Sequence, residues 1–207
     1  MNRFTIGTMF RIMLPDIMPD LKKIIYLDSD LFVNTDIEEL WNLNIDNYCL
    51  AAAQDCSTIR NWGTPYAVAA GQTTRDRYFN AGVLCMNLDN IRKNGSLFQQ
   101  VMDYLNDNPR TWLPDQDALN SIFSGETLLI DEKWNYFIDE ARKNNEKAEK
   151  KIYHYAATLL MLHTNNEIDR AYYFTILRTP WESRWRMAYC VILWAELWIE
   201  QVCWRSC

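Results

Sequence analysis

Lys23-Ile24-Ile25-Tyr26-Leu27-Asp28-Ser29-Asp30 sets an apolar run directly against a pair of carboxylates. Such a run suits a short buried strand of a parallel sheet, and ligand-binding groups gather at the carboxyl ends of strands in open α/β sheets. Two carboxylates one residue apart on extended backbone point to the same side, so Asp28 and Asp30 can approach one divalent cation. Hard oxygen ligands select Mg²⁺ or Mn²⁺, and an added imidazole tilts the choice toward Mn²⁺. His154, near the end of Ile152-Tyr153-His154-Tyr155, can supply that imidazole. Other readings of the same residues exist. Asp-x-Asp also marks solvated turns, and His154 taken alone reads as a core histidine bonded to backbone. A phosphatase strand also ends in Asp-x-Asp, but it takes Thr or Val two residues on, where Phe32 stands here.

Outward from this strand, Leu31 to Val33 reads as a second extended piece, and Thr35 or Asp36 can cap a helical turn carrying Ile37, Leu40 and Trp41. Tyr48 to Ala53 is the next strand. Residues 56–76 lack a period and contain Gly63, Pro65 and Gly71, which predicts a long loop or irregular subdomain over the sheet edge. Tyr78 to Leu88 returns to a strand, interrupted by Asn80-Ala81-Gly82. Leu97, Val101, Met102 and Leu105 follow helical spacing up to Pro109. Pro114 opens a further helix with Ala118, Leu119, Ile122 and Phe123 on its apolar face, stopped by Gly125. Asp115 and Asp117 there complement a helix dipole, worth about 0.3–1 kcal/mol, a role that Gln116 between them does not share. Glu167 to Trp204 reads as two helices divided at Thr179-Pro180. The alternation predicts an α/β sheet with helices on its faces, with few strands for a complete doubly wound fold.

The 207 residues, 49% hydrophobic and 14% aromatic, suffice for one domain with a substantial core. A net charge of −6 without any basic run argues against nucleic acid as a partner. A diphosphate-bearing ligand would need a cation to neutralise it in so acidic a chain. The six cysteines form no CxxC pair, so neither a zinc site nor a disulfide framework is expected, and reduced thiols fit a cytoplasmic location. Met1 to Pro15, with Arg3 and Arg11, has no continuous apolar stretch and does not read as a secretory signal. Met187 to Ala195 is uncharged but far short of the roughly 20 residues that span a bilayer. The aromatic tail Trp185, Tyr189, Trp194, Trp198 and Trp204 has only Arg184, Arg186 and Arg205 beside it, which favours packing or self-association over peripheral membrane contact.

Arg11-Ile12-Met13-Leu14-Pro15, Lys23 to Asp30, Tyr78-Phe79-Asn80-Ala81-Gly82-Val83-Leu84 and Leu113-Pro114-Asp115-Gln116-Asp117-Ala118-Leu119-Asn120 follow one another in an order and spacing that resembles the retaining glycosyltransferases of family 8, from Phe10 to Pro180. The resemblance implies a GT-A fold, a mixed, mostly parallel sheet flanked by helices, truncated at its N-terminus. It places a partial transferase domain in residues 1–165 and a helical C-terminal extension in 166–207. It implies transfer of a hexose, galactose or glucose, from a UDP-sugar to a carbohydrate or glycolipid acceptor with retention. Lipopolysaccharide or surface polysaccharide synthesis at the inner face of the membrane would be the setting, with Mn²⁺, or alternatively Mg²⁺, as cofactor. By the same resemblance Asp28, Asp30 and His154 match metal ligands, Asp28, Asp55, Asn80 and Ala81 match donor-sugar positions, and Asp115 and Gln116 match the reaction face. An amide is a poor nucleophile, so front-face attack and a covalent route both stay open for Gln116. Family members also carry an earlier strand–helix portion that binds base and ribose, and a Lys-Pro-Trp after the metal histidine. Here the corresponding stretch is Ala157-Thr158-Leu159-Leu160-Met161-Leu162, and Arg178-Thr179-Pro180-Trp181 fits a later Thr-Pro segment instead. These departures support a competing expectation, an inactive remnant or an interaction module of the same fold.

Overall fold

The computed structural model describes residues 6–156 and 166–179. Its elements are α1 (Ile6–Ile17), β1 (Lys23–Leu27), β2 (Leu31–Val33), α2 (Glu38–Trp41), β3 (Leu50–Gln54), α3 (Cys56–Asn61), α4 (Tyr66–Ala69), β4 (Phe79–Asn87), α5 (Leu88–Arg92), α6 (Leu97–Asp107), α7 (Pro114–Ile122), β5 (Thr127–Ile130), a 3₁₀ turn (Glu132–Trp134), β6 (Tyr136–Phe137), α8 (Ile138–Lys143), β7 (Ile152–His154) and α9 (Glu167–Ile176). The N-cap of α2 is Ile37, not Thr35 or Asp36 as expected, though Asp36 Oδ1 accepts the Glu38 N–H at 2.9 Å just ahead of the helix. The stretch expected as an irregular loop holds the short helices α3 and α4, separated and followed by turns at Gly63 and Gly71, both at positive φ.

The main sheet runs β1-β4-β3-β5 and a smaller one β2-β7-β6. The mixed α/β architecture flanked by helices is as expected, but the weight of parallel pairing is not. Among the described strands β1–β4, β3–β4 and β2–β7 are antiparallel, and only β3–β5 and β6–β7 are parallel. β1 is half-buried along its length, lies at one end of the described sheet and pairs antiparallel with β4, rather than forming a buried strand of a parallel sheet. Its apolar run misled because both faces are covered wherever the strand sits. Ile24 and Tyr26 pack on one core cluster, Ile25 and Leu27 on another.

The same alternation organises the centre. Leu50, Ala52, Leu84 and Met86 face a cluster closed by α1, α5, α6 and α7 through Ile12, Ile91, Val101 and Leu119. Ala51, Val83 and Cys85 face the opposite cluster with Leu40, Trp134 and Ile152. A third cluster, Phe32, Ile138, Tyr153, Tyr155 and Ile168, joins the small sheet to α8 and α9. There Asp169 is buried, its carboxylate accepting from two Arg142 nitrogens at 2.9 and 3.0 Å and from the Tyr155 hydroxyl. Among the described residues no helix is long and apolar enough to cross a membrane. The expected second C-terminal helix, the aromatic tail and the Ala157 to Leu162 stretch lie outside the described residues.

Candidate active site

A break in register builds the site. Ala52 stands opposite Leu84 but Gln54 stands opposite Phe79, so Asn80, Ala81 and Gly82 leave their ladder with β3. On their other side the Asp28 N–H donates to the Gly82 carbonyl at 2.8 Å, setting the end of β1 beside them. The first turn of α7 brings in Asp115 and Gln116, α1 brings in Arg11, and the end of β7 brings in His154. These groups share the wall of one cavity of about 230 Å³.

Asp28, Asp30 and His154 offer three ligand atoms within 4.8 Å of one another. His154 Nε2 lies 3.4 Å from Asp30 Oδ1 and 3.9 Å from Asp28 Oδ2. The hydrogen bonds fix which ring nitrogen carries the proton. Gly82 N–H must donate, so the Asn80 oxygen it meets at 2.9 Å is Oδ1. Asn135 Nδ2 donates to that same oxygen at 2.8 Å, which turns Asn135 Oδ1 toward His154 Nδ1, also at 2.8 Å. Nδ1 therefore donates, which leaves Nε2 as the ring nitrogen turned toward the two carboxylates. Two carboxylates and an imidazole nitrogen brought this close form a donor set that fits a divalent cation. Phe137 stacks on the imidazole, and Gly82 makes room for it. A Cβ on Gly82 would stand 2.3 Å from His154 Cε1.

Arg11 is buried between two carboxylates. Its Nη2 meets Asp28 Oδ1 at 2.8 Å, its Nε meets Asp115 Oδ2 at 3.3 Å, and its Nη1 donates to the Ala81 carbonyl. Burial pushes the Asp28 and Asp115 carboxyls above the ordinary carboxylate range, and Arg11 opposes the shift in both. Asp30 is held below that range, chiefly by its contact with His154. Asp28 also accepts from Tyr26 at 2.7 Å. Three carboxylates against one guanidinium leave an excess of negative charge, as a cation site requires.

Asp55 is completely buried and ties the remaining residues together. It accepts from Thr58 N and Oγ1, from Asn80 Nδ2 at 3.1 Å and from Gln116 Nε2 at 2.9 Å. Gln116 Oε1 accepts from the Ala81 N–H at 3.0 Å, and its amide also reaches the Tyr78 hydroxyl. Ala81 thus takes part through its backbone alone. Asp117 faces away from this network, accepting from Tyr78, Thr111 and the Ala67 N–H, and so anchors α4. Asp117 joins the group only through the Tyr78 hydroxyl that Gln116 also meets, and Asp55 reaches the wall only through Asn80, Thr58 and Gln116. Arg11 entered the sequence reading only as part of a motif, and Tyr26, Tyr78, Gly82 and Asn135 had no assigned part. An arginine within Met9 to Leu14, among residues that pack on the core, was the available signal for Arg11.

The profile of glycosyl transferase family 8 matches residues 2–163. A putative glycosyltransferase of Haemophilus influenzae is 35% identical over 133 residues, 64% of this chain and 39% of that protein. General stress protein A of Bacillus subtilis is 30% identical over 139 residues, 65% of this chain and 46% of that protein. The chain thus spans less than half the length of these relatives. The solved structure of the galactosyltransferase LgtC, in complex with donor and acceptor sugar analogs, superposes with a TM-score of 0.71 at 22% identity, covering 89% of this chain and 72% of that one. With its GT-A-type fold and a sequence match that takes in every residue of the cavity's acidic end, the chain belongs to glycosyl transferase family 8.

Proposed function

We propose that this chain is the transferase portion of an enzyme that moves a hexose from a UDP-sugar to a carbohydrate acceptor with retention, using Mn²⁺. The observation that carries it is the convergence of Asp28, Asp30 and His154 Nε2 on the wall that also bears Arg11, Asp115 and Gln116. A cation held there would neutralise the diphosphate and act as a Lewis acid toward the departing UDP. Asp28 and Asp30 bind it through oxygen, and His154, oriented by Asn135, favours Mn²⁺ over Mg²⁺. Asn80 faces the reacting end of the donor, Asp55 and the Ala81 backbone set Asn80 and Gln116 from behind the wall, and Arg11 balances Asp28 and Asp115 beside it. Gln116, with one Oε1 lone pair taken by Ala81 N–H, keeps a second for the anomeric carbon, which suits stabilisation of developing positive charge in a front-face attack. The exchanged sugar, galactose or glucose, and a role in surface polysaccharide synthesis on the cytoplasmic side belong to the same reading, with residues 166–207 as an extension that α9 anchors. Titration calorimetry of the full chain with UDP and Mn²⁺ tests it. Binding that Asp30→Ala abolishes is expected, together with hydrolysis of UDP-galactose or UDP-glucose. Absence of binding, or binding indifferent to Asp30→Ala, overturns it in favour of an inactive relative.

A further inference from the structure

The cavity wall extends beyond the acidic end to Asn61, Trp62, Leu113, Phe137 and Asp139. Trp62 is 57% exposed although it lines a cavity. Trp41 and Trp134 each lie under a lysine, but among the described residues no ring or cation stacks on Trp62. An indole face with no ring or cation on it among the described residues, at a cavity wall, is apolar surface on which a ligand can stack.

Its backbone is fixed. The Trp62 N–H closes α3 on the Thr58 carbonyl at 2.9 Å, and Gly63 turns the chain away at φ +108°. The other end of α3 hangs from Asp55, whose Oδ1 accepts the Thr58 N–H at 2.8 Å while its Oδ2 accepts from Gln116. One buried carboxylate therefore sets both the ring and the amide on the reaction face. The groups beside the ring are of a sugar-binding kind, namely the Asn61 amide, which donates to Ser57 Oγ and keeps its carbonyl oxygen, and the Asp139 carboxylate. Arg11, the one cationic side chain on the wall, is engaged with Asp28 and Asp115.

From this we infer that Trp62 is the acceptor platform: its indole stacks on the C–H face of a neutral pyranose, whose edge hydroxyls meet Asn61 and Asp139. The inference rests on the sugar-transfer reading and narrows the acceptor to an uncharged sugar, because an anionic one would meet Asp139 where the cations at hand, Arg142 beside it and Arg11 on the wall, are engaged with Asp139 and Asp169 and with Asp28 and Asp115. Trp62 would be a specificity-determining residue that touches acceptor and not donor.

The test is saturation-transfer NMR of the full 207-residue chain, without metal or UDP, using methyl β-galactopyranoside, methyl β-glucopyranoside and methyl β-glucuronide. Saturation of H1, H3 and H5 of a neutral glycoside is expected, weaker for the uronide, lost in Trp62→Ala and largely kept in Trp62→Phe. In turnover the Ala variant should raise acceptor KM about tenfold, as loss of an aromatic face typically does, with UDP affinity unchanged. Neutral-sugar signals that persist in Trp62→Ala overturn the proposal. A loss of UDP affinity with those signals intact also overturns it, assigning the ring to the uracil base. Failure of UDP and Mn²⁺ to bind the wild-type chain would sink the transferase reading alone, since the glycoside experiment requires neither.

Discussion

Gly82→Ala is the sharpest perturbation of the site, because one methyl group meets one ring. The built Cβ falls 2.3 Å from His154 Cε1 and 2.9 Å from Nδ1, where ordinary contact begins near 3.4 Å. The imidazole must therefore retreat by about 1 Å. It cannot swing freely, since it is 3% exposed, bonded to Asn135 and stacked on Phe137, on a strand paired on both sides. Gly82 is not among the glycines at positive φ, so space and not backbone conformation is what the glycine supplies. Overpacking of this kind costs about 1–3 kcal/mol, offset in part by roughly 0.5 kcal/mol gained from a stiffer unfolded chain. Metal ligands tolerate displacements of only about 0.2 Å, so Mn²⁺ affinity should fall by at least ~100-fold. Calorimetric Mn²⁺ titration reads the second effect and thermal unfolding the first. A double-mutant cycle with His154→Ala separates them from general damage. If the methyl group acts through the ring, removing the ring relieves the clash, and Gly82→Ala should cost little in the His154→Ala background. Wild-type Mn²⁺ affinity in Gly82→Ala, or strictly additive costs in the cycle, would refute the packing argument.

Three further perturbations probe the groups around that ring. Asn135→Leu strips the partner from His154 Nδ1 and leaves Asn80 Oδ1 only the Gly82 N–H, so a stability loss of about 1–3 kcal/mol by denaturant titration and a 10–100-fold weaker Mn²⁺ site are expected; an unchanged Mn²⁺ affinity would free His154 from Asn135. Arg11→Met leaves Asp28 and Asp115 buried without their guanidinium, costing about 3–5 kcal/mol near neutral pH. Both carboxyls are already raised in the folded state, and the variant raises them further, so the folded chain binds the extra protons; the deficit should be absent below about pH 4 and grow as pH rises through the folded values, and unfolding temperatures equally depressed at pH 4.5 and 7.5 would contradict this. Gln116→Glu sets a second carboxyl 2.9 Å from buried Asp55, where both cannot ionise, so its deficit should likewise widen between pH 5 and 8 in thermal scans; a pH-independent deficit would show that charge is not the cause.

Much of the fold was legible because helices and strands announce themselves through period and caps. Leu97 to Leu105 and Pro114 with its two acids formed what their spacing predicted. Strand direction was not legible. Lys23 to Leu27 is apolar on both faces because two different core clusters receive it, and such a run reads the same in either direction. β5 and β6, four and two residues long, are too short to carry a pattern of their own, and exist through pairing with β3 and β7. α1 escaped because its apolar spacing shares the segment with an arginine and Pro15, and it is held late in the chain's order, by Arg92 donating to the Pro15 carbonyl at 2.8 Å.

The site divides along the same physical line. Residues that present a charge or a lone pair to the cavity, Asp28, Asp30, His154 and Gln116, are chemically conspicuous and can be named from their types. Residues that aim them are conspicuous only in three dimensions. Asn135 decides which nitrogen of His154 faces the carboxylates, and Gly82 decides whether the ring fits at all. The three consecutive residues Asn80, Ala81 and Gly82 act through a side-chain amide, a bare backbone and an absent side chain respectively. Each of these roles follows from the register break that frees the segment from β3, and that break is itself set by long-range pairing. A substitution outside the cavity that restored the ladder between Ala53 and Val83 should therefore disable the site as surely as loss of a carboxylate, because it would withdraw the Asn80 oxygen on which the orientation of Asn135 and His154 depends.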